Sequence, residues 1–283
     1  MTLLNLYDRD SSKAIDALVI KRFKMDSVEL MRRAGQRALV TLLEKWPEIK
    51  LISVFCGMGN NGGDGFVLAL LAKKIGLNVQ VYVVGDQRRI KDDARICFDE
   101  CLRNEVNVLG LDQFDGQSDL IVDAIFGVGL NRKIEGDTMK AITIINDSGK
   151  PVLSIDVPSG LNATTGGLFG TAVKADLTIC FFGMKQGLFT GAGKSLAGDS
   201  VVDFLGISSK ILTECAPTAM GVNYNSIKNS FAPRDLLSHK GDFGHLLVLG
   251  GAPGYAGAVL LCGMAALRSG TGLVSIGTHP DHA

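Results

Sequence analysis

The chain lacks a surplus of either charge. Lys plus Arg and Asp plus Glu both number 29, so the formal net charge is zero, and the basic footprint of a nucleic-acid binder is missing. It also lacks a C-x-x-C pair. Cys56, Cys97, Cys101, Cys180, Cys215 and Cys262 are scattered through apolar segments, which supports neither a zinc ribbon nor a redox motif. Cys97 and Cys101, four apart on an expected helix, read as neighbours on one face rather than a bridge, and a reducing cytoplasm is the expected compartment. No secretory leader is expected, because Met1–Asp10 contains Asp8 and Asp10 and no long apolar core. The 22 charge-free residues Leu246–Leu267 contain Pro253 and five glycines. A spanning helix would break there, so the expectation is strand, glycine turn and helix, with no membrane contact. None of the four histidines (His239, His245, His279, His282) lies in the polar loops described next, which disfavours histidine catalysis and transition-metal sites.

What the chain has is glycine, 35 residues of it, gathered at the ends of apolar runs. The densest stretch is Cys56-Gly57-Met58-Gly59-Asn60-Asn61-Gly62-Gly63-Asp64-Gly65, between a strand-like Leu51–Phe55 and a helix-like Phe66–Ile75. Glycines there let backbone approach a ligand, and the free N–H groups of a following helix favour anions. Asn60 and Asn61 add amides, and Asp64 is expected at the helix start, where its carboxylate would repel a pyrophosphate lying on the helix end. The loop therefore suits a mixed role involving amides, a cation and phosphate or ribose. A plain glycine turn capped by Asp64 leaves the Asn pair unexplained.

Further strand-like runs fall at Asn78–Val84, Asp119–Val122, Pro151–Ile155 and Asp176–Phe182, with helical runs such as Arg88–Leu102 and Thr138–Asp147 between them. Strands alternating with helices predict a mostly parallel sheet covered on both faces. A helical prelude, Ser12–Trp46, is expected to break near Lys24–Ser27, with Asp26 or Ser27 capping its second half. Three domain segments are expected: 1–206, a linker 207–238, and 239–283, where a second strand–helix–strand unit opens in too few residues for an independent domain.

In such a sheet, ligands bind beyond the carboxyl ends of the strands. Two more segments end in carboxylates there. Asp123 leads into Ala124–Phe126 and Gly127-Val128-Gly129-Leu130-Asn131-Arg132-Lys133, and Asp156 leads into Val157-Pro158-Ser159-Gly160. Either Asp could simply cap its loop, but burying two carboxylates without partners is costly. Arg132 and Lys133 suit an anionic group, or else a solvated turn. Ser159, with Asn61 and Asp123, could surround a hard cation that prefers oxygen ligands.

In this order, Asn60–Gly65, Asp123–Leu130 and Ile155–Gly160 resemble NAD(P)H-hydrate epimerases. The similarity runs from the N-terminus to about residue 205 and includes Leu30–Gly35, where many members carry Glu in place of Arg32. The segment His239–His245 with Gly250–Gly272 resembles the opening of an ADP-dependent NAD(P)H-hydrate dehydratase. The resemblance implies a Rossmann-like three-layer α/β/α sandwich, plus the truncated start of a second, ribokinase-like α/β domain. It implies epimerisation of the R and S forms of NADHX or NADPHX. Asn60, Asn61, Gly62, Gly63, Asp64, Gly127, Val128, Gly129, Leu130, Asn131, Arg132, Lys133 and Asp156 would hold the substrate, and Asp156 would carry the proton. One K+ per site would sit on Asn61, Asp123 and Ser159, and ADP would belong to the second domain. No nucleic-acid or membrane partner is implied, and a homo-oligomer is allowed. Two other readings stay open. One is a Rossmann dehydrogenase in which Asp86, about 20 residues beyond the loop, takes the ribose; the other is a non-catalytic nucleotide binder.

Overall fold

The computed structural model describes residues 4–228 and 233–282, so part of the expected linker, 229–232, lies outside the described residues. The chain divides into two compact units, Met1–Asn223 and Tyr224–Ala283.

The first unit opens with β1 (Leu4–Tyr7), α1 (Arg9–Phe23) and α2 (Ser27–Lys45). The expected break is real. Asp8 caps α1 through Ser11 N and Asp26 caps α2 through Val28 N, each satisfying a helix N–H that would otherwise lack a partner. Then come β2 (Leu51–Cys56), α3 (Asn60–Lys74), β3 (Asn78–Val83), α4 (Asp92–Arg103), β4 (Asn107–Leu109), β5 (Leu120–Ala124), α5 (Gly136–Asp147), β6 (Val152–Ile155), β7 (Leu177–Phe181), β8 (Met184–Lys185), a short α6 (Gly193–Leu196), β9 (Asp199–Asp203) and β10 (Ala219–Gly221).

Seven strands form one sheet in the order β4-β3-β2-β5-β6-β7-β9, every pair parallel. Alternation along the strands splits the core. Ile52, Val54, Val81, Leu120 and Val122 face α2, α3 and α4, while Phe55, Tyr82, Ile121 and Val152 face α5 and the loops around it. The result is the expected three-layer sandwich. Because α3 is enclosed by the sheet, α2 and α4, Phe66, Leu68, Ala69 and Leu70 are all buried and it has no polar face. The chain reverses its direction of strand addition between β2 and β5. That switch point is where open α/β sheets bind ligands.

Five strands have no alternating apolar signature and went unread: β1, β4, β8, β9 and β10. The first unit does not stop at Gly206. Ile207 and Ile211 are buried beside Tyr7, Val19 and Phe182, and β10 pairs antiparallel with β1. This polar, Pro-containing stretch between β9 and β10 is held by contacts that leave no local pattern.

The second unit contains α7 (Tyr224–Ile227), β11 (His245–Leu249), α8 (Ala256–Arg268) and β12 (Leu273–Gly277). The parallel pair β11–β12 with one helix is the strand–turn–helix–strand expected there. It encloses little: Leu247, Leu249, Leu260 and Leu261 are each more than half exposed. No helix among the described residues is long and apolar enough to cross a membrane.

Candidate active site

A cavity of about 640 Å³ opens at the switch point, lined by Asn60, Asn61 and Asp64 from α3, by Gly127–Arg132, and by Asp156. The glycines of the first loop divide by function. A Cβ on Gly57 would strike the Ile125 carbonyl, one on Gly62 the Gly57 carbonyl, and one on Gly63 the Met31 sulfur. Those glycines close the backbone against itself and against α2. Only Gly59, the N-cap of α3, has open space where a side chain would grow. The helix also begins earlier than expected, at Asn60, so Asp64 lies inside it rather than capping its start. Close packing of the three glycines outweighs their poor helix propensity. Gly62 and Gly63 therefore sit behind the cavity wall, and Gly59, Asn60 and Asn61 at the α3 start, where helix N–H groups lack intrahelical partners, line it.

Asp123 and Ser159 do meet. Asp123 is wholly buried and accepts from Ser159 Oγ at 2.6 Å, Ser159 N and Ser154 Oγ at 2.8 Å, and Ile125 N at 3.3 Å. Register dictates this: Asp123 on β5 lies opposite Ser154 on β6, so both side chains leave the same face. Burial pushes the Asp123 carboxyl up, and the hydrogen bonds from Ser159, Ser154 and Ile125 pull it back. Among the described residues no basic side chain pairs with it. Asn61 touches neither residue by hydrogen bond; its Oδ1 and Nδ2 are buried without any partner. A buried amide with both ends unpaired is a place for an ion or ligand atom.

Asp156 stands on a strained turn. Its φ is +69°, and Val157 N–H donates to the Ile155 carbonyl at 2.9 Å across it, the geometry of a γ-turn that is uncommon for a residue with a side chain. The turn aims the carboxylate at the second glycine loop, where Oδ2 accepts from Val128 N at 2.9 Å. A Cβ on Gly127 would collide with this carboxylate, whereas Gly129 faces open space.

The sequence reading missed Lys185. It is 3% exposed, and its Nζ lies 2.7 Å from Asp156 Oδ1. Burial works to lower the ammonium's pKa, but Asp156, Cys180 and Asp16 outweigh that and hold it above the ordinary lysine value. Ser12, Lys13 and Asp16 of α1, and Arg89, also line the cavity unforeseen. The only local signal for Lys185 was a lone lysine between glycines in Phe181–Gly187 after a buried strand; α1 gave none. Of the two basic loop residues, exposed Arg132 lines the cavity, while Lys133 lies outside it against Glu135 and Thr138 in a smaller cleft. Asp86 is not in the cavity. It caps a short turn and pairs with Arg88 at 2.9 Å, which holds its carboxyl below the usual range.

A family model described as YjeF-related protein N-terminus matches residues 27–187. The chain belongs to this family. An NAD(P)H-hydrate epimerase of Limosilactobacillus fermentum is 36% identical over 190 residues, covering 67% of this chain and 91% of its own. A bifunctional NAD(P)H-hydrate repair enzyme of Coxiella burnetii is 38% identical over 280 residues, 98% of this chain but 57% of its own length. The chain thus spans little more than half of the bifunctional relatives it matches. The crystal structure of a yeast protein, YNL200c, has the same fold, with a TM-score of 0.65 at 20% identity over 76% of this chain and 96% of that one. The YjeF match covers both carboxylate-ended strands, the first glycine loop and Lys185.

Proposed function

We propose that the first unit is an NAD(P)H-hydrate epimerase acting on NADHX and NADPHX. The observation that carries this reading is the Asp156–Lys185 pair, set between two glycine loops in a cavity within the size range of small-molecule sites. The names of the similar relatives support the substrate class. A Rossmann dehydrogenase is disfavoured by Asp86, which is spent on Arg88 and lies away from the cavity.

In the substrate, the C6 hydroxyl lies next to ring nitrogen N1. Breaking the C6–O bond with help from the N1 lone pair gives an iminium carbon that water can attack from either face. Asp156 takes the proton of the attacking water, and its carboxylate steadies the developing positive charge. Lys185 pairs with and orients Asp156, and Val128 N–H fixes the other oxygen. The α3 N-terminus with Asn60, and Arg132, suit the phosphates.

The residues fit a potassium ion. Asn61 Oδ1 is buried and unpaired, and Asp123 is a buried carboxylate bonded only to neutral donors beside Ser159. When bound, K+ would supply fixed positive charge that neutralises Asp123 and rigidifies the loops. Dehydration of the S form with ADP belongs to this proposal only for a polypeptide carrying the nucleotide-binding segment of that second family. The test is chromatographic separation of the two hydrate epimers after adding the protein to one of them. Faster equilibration than the uncatalysed control is expected, and none would overturn the reading. Hydride transfer to NAD would favour the dehydrogenase instead.

A further inference from the structure

Expelling the C6 hydroxyl as water needs a proton, and Asp156, whose two oxygens are held by Lys185 Nζ and Val128 N–H, is assigned to the incoming water. The cavity offers a second carboxylate from an unexpected quarter. Strand β1 pairs parallel with β8, and Tyr7 lies directly opposite Lys185. Helix α1 starts two residues later, its first residue pinned by a 3.0 Å bond from Arg9 N to Thr164 Oγ1. That register delivers Asp16, about two turns along α1, to the cavity that Asp64, Asp156 and Lys185 line. Asp16 also borders an adjoining cleft of about 130 Å³ together with Asn60 and Asp64.

Building on the epimerase reading, we propose that Asp16 is the second acid–base group of this site, donating the proton that lets the C6 hydroxyl leave while Asp156 receives the proton of the incoming water. The balance is complete. The Asp16 O–H bond breaks and the proton joins the hydroxyl oxygen. The C6–O bond breaks with its electron pair, and N1 supplies the pair that forms N1=C6. Water then bonds to C6 from the opposite face, that electron pair returns to N1, and its proton passes to Asp156. The enzyme is left with Asp16 ionised and Asp156 protonated, the state that runs the reverse epimerisation, and exchange with solvent resets it.

The surroundings suit the role. Burial pushes the Asp16 carboxyl up to about 6, Lys185 moderates the rise, and Asp156 adds to it. Lys13 on its own helix, Asp64 on α3, Arg89 and Arg132 across the cavity, and Asp93 of α4 in the adjoining cleft are the other charged groups that share these spaces with it. Asp156 is ion-paired with Lys185 whereas Asp16 is raised by burial, and two carboxylates in unlike environments are the arrangement that assigns acid and base in one site.

The test uses the whole chain, one pure hydrate epimer, and rates above the uncatalysed background from about pH 5 to pH 8. Wild-type kcat should fall as pH rises through about 6. Asp16→Asn should lose about 10²–10⁴-fold in kcat and lose that limb, with KM little changed, and Asp16→Glu should restore part of both. Wild-type rate in Asp16→Asn, or loss of the limb in Asp64→Asn alone, would overturn the assignment. If Asp16→Asn does not fold, an unmoved limb in Asp16→Glu overturns it equally. A wild-type chain that binds the nucleotide yet never epimerises it would sink the epimerase reading, and the role of Asp16 with it.

Discussion

Lys185 and Asp156 meet 2.7 Å apart, each just beyond one of two adjacent strands that the chain leaves in the same way. Asp156 follows β6 and Phe182 follows β7. Each has a positive φ, and each is spanned by an N–H to carbonyl bond two residues back, at 2.9 and 2.7 Å. Matching turns on neighbouring strands bring the acid and its cation together, at a cost in backbone strain that functional sites commonly carry.

That pairing shapes the expected behaviour of Asp156→Asn. The rate of epimerisation should fall by about 10²–10⁴-fold, the usual contribution of acid–base assistance. The variant also leaves Lys185 as a buried, unpaired charge, and breaking such a pair costs about 3–5 kcal/mol. Thermal unfolding should therefore shift down, and adding Lys185→Met should restore stability without activity. A double variant as inactive and as unstable as the single one would show that the pair is not what holds Asp156.

Asp123→Ala should combine two effects. Ser154, Ser159 and Ile125 N–H lose their acceptor, at about 1–3 kcal/mol for each donor left unsatisfied. If the carboxylate also holds potassium, wild-type affinity for the nucleotide should rise with potassium and the variant's should not, except at high salt. Calorimetry in potassium against a large organic cation separates the two. Wild-type binding that ignores the cation would remove it from the site.

The glycines should split as their surroundings do. Gly62→Ala and Gly127→Ala should damage the protein, the first by pushing on the Gly57 backbone and the second by displacing the Asp156 carboxylate. Gly59→Ala and Gly129→Ala have room, so they should fold normally and change only KM. Unfolding midpoints and kinetics on the four variants decide this; an unstable Gly129→Ala would contradict the open cavity wall.

Stability should depend on pH through the raised carboxyls. Asp16 is held at about 6 against 3.8 for the unperturbed group, and Asp64 is raised too, chiefly by burial. Between those values the folded chain keeps protons that the unfolded chain has released, so stability falls as pH rises through that window. Asp16→Asn should be more stable than wild type near neutrality, and the difference should vanish below the unperturbed value. Lys185, raised in the folded state, contributes below the ordinary lysine pKa and loses that contribution only at strongly alkaline pH. Denaturant unfolding of both proteins across pH gives the answer.

A chain ending at Gly206 should be less stable than one ending at Asn223. The shorter form loses buried Ile207 and Ile211 and the β10 partner of β1. Equal melting temperatures would place these contacts outside the cooperative unit.

The alternating layers of the first unit were readable from residues alone because period-two and helical apolar patterns are local properties of the chain. So were the caps at Asp26 and the carboxylates Asp123 and Asp156, each closing an apolar strand. The family resemblance drew on the same short, contiguous motifs. The start of α3 was not readable, since glycines read as a loop until their packing against Gly57 and Met31 is known. Nor were β9, with Asp199 and Asp203 paired to Lys45 and Arg37, or β10, because edge and accessory strands carry polar residues and owe their existence to partners far away in sequence. The sequence by itself determined the central strands of the sheet, its ligand edge and the carboxylates Asp64, Asp123 and Asp156. The tertiary structure alone decided which groups face Asp156. Lys185 arrives from the end of β7 and Asp16 through the pairing of β1 with β8, and no local pattern records a contact made across about 170 residues.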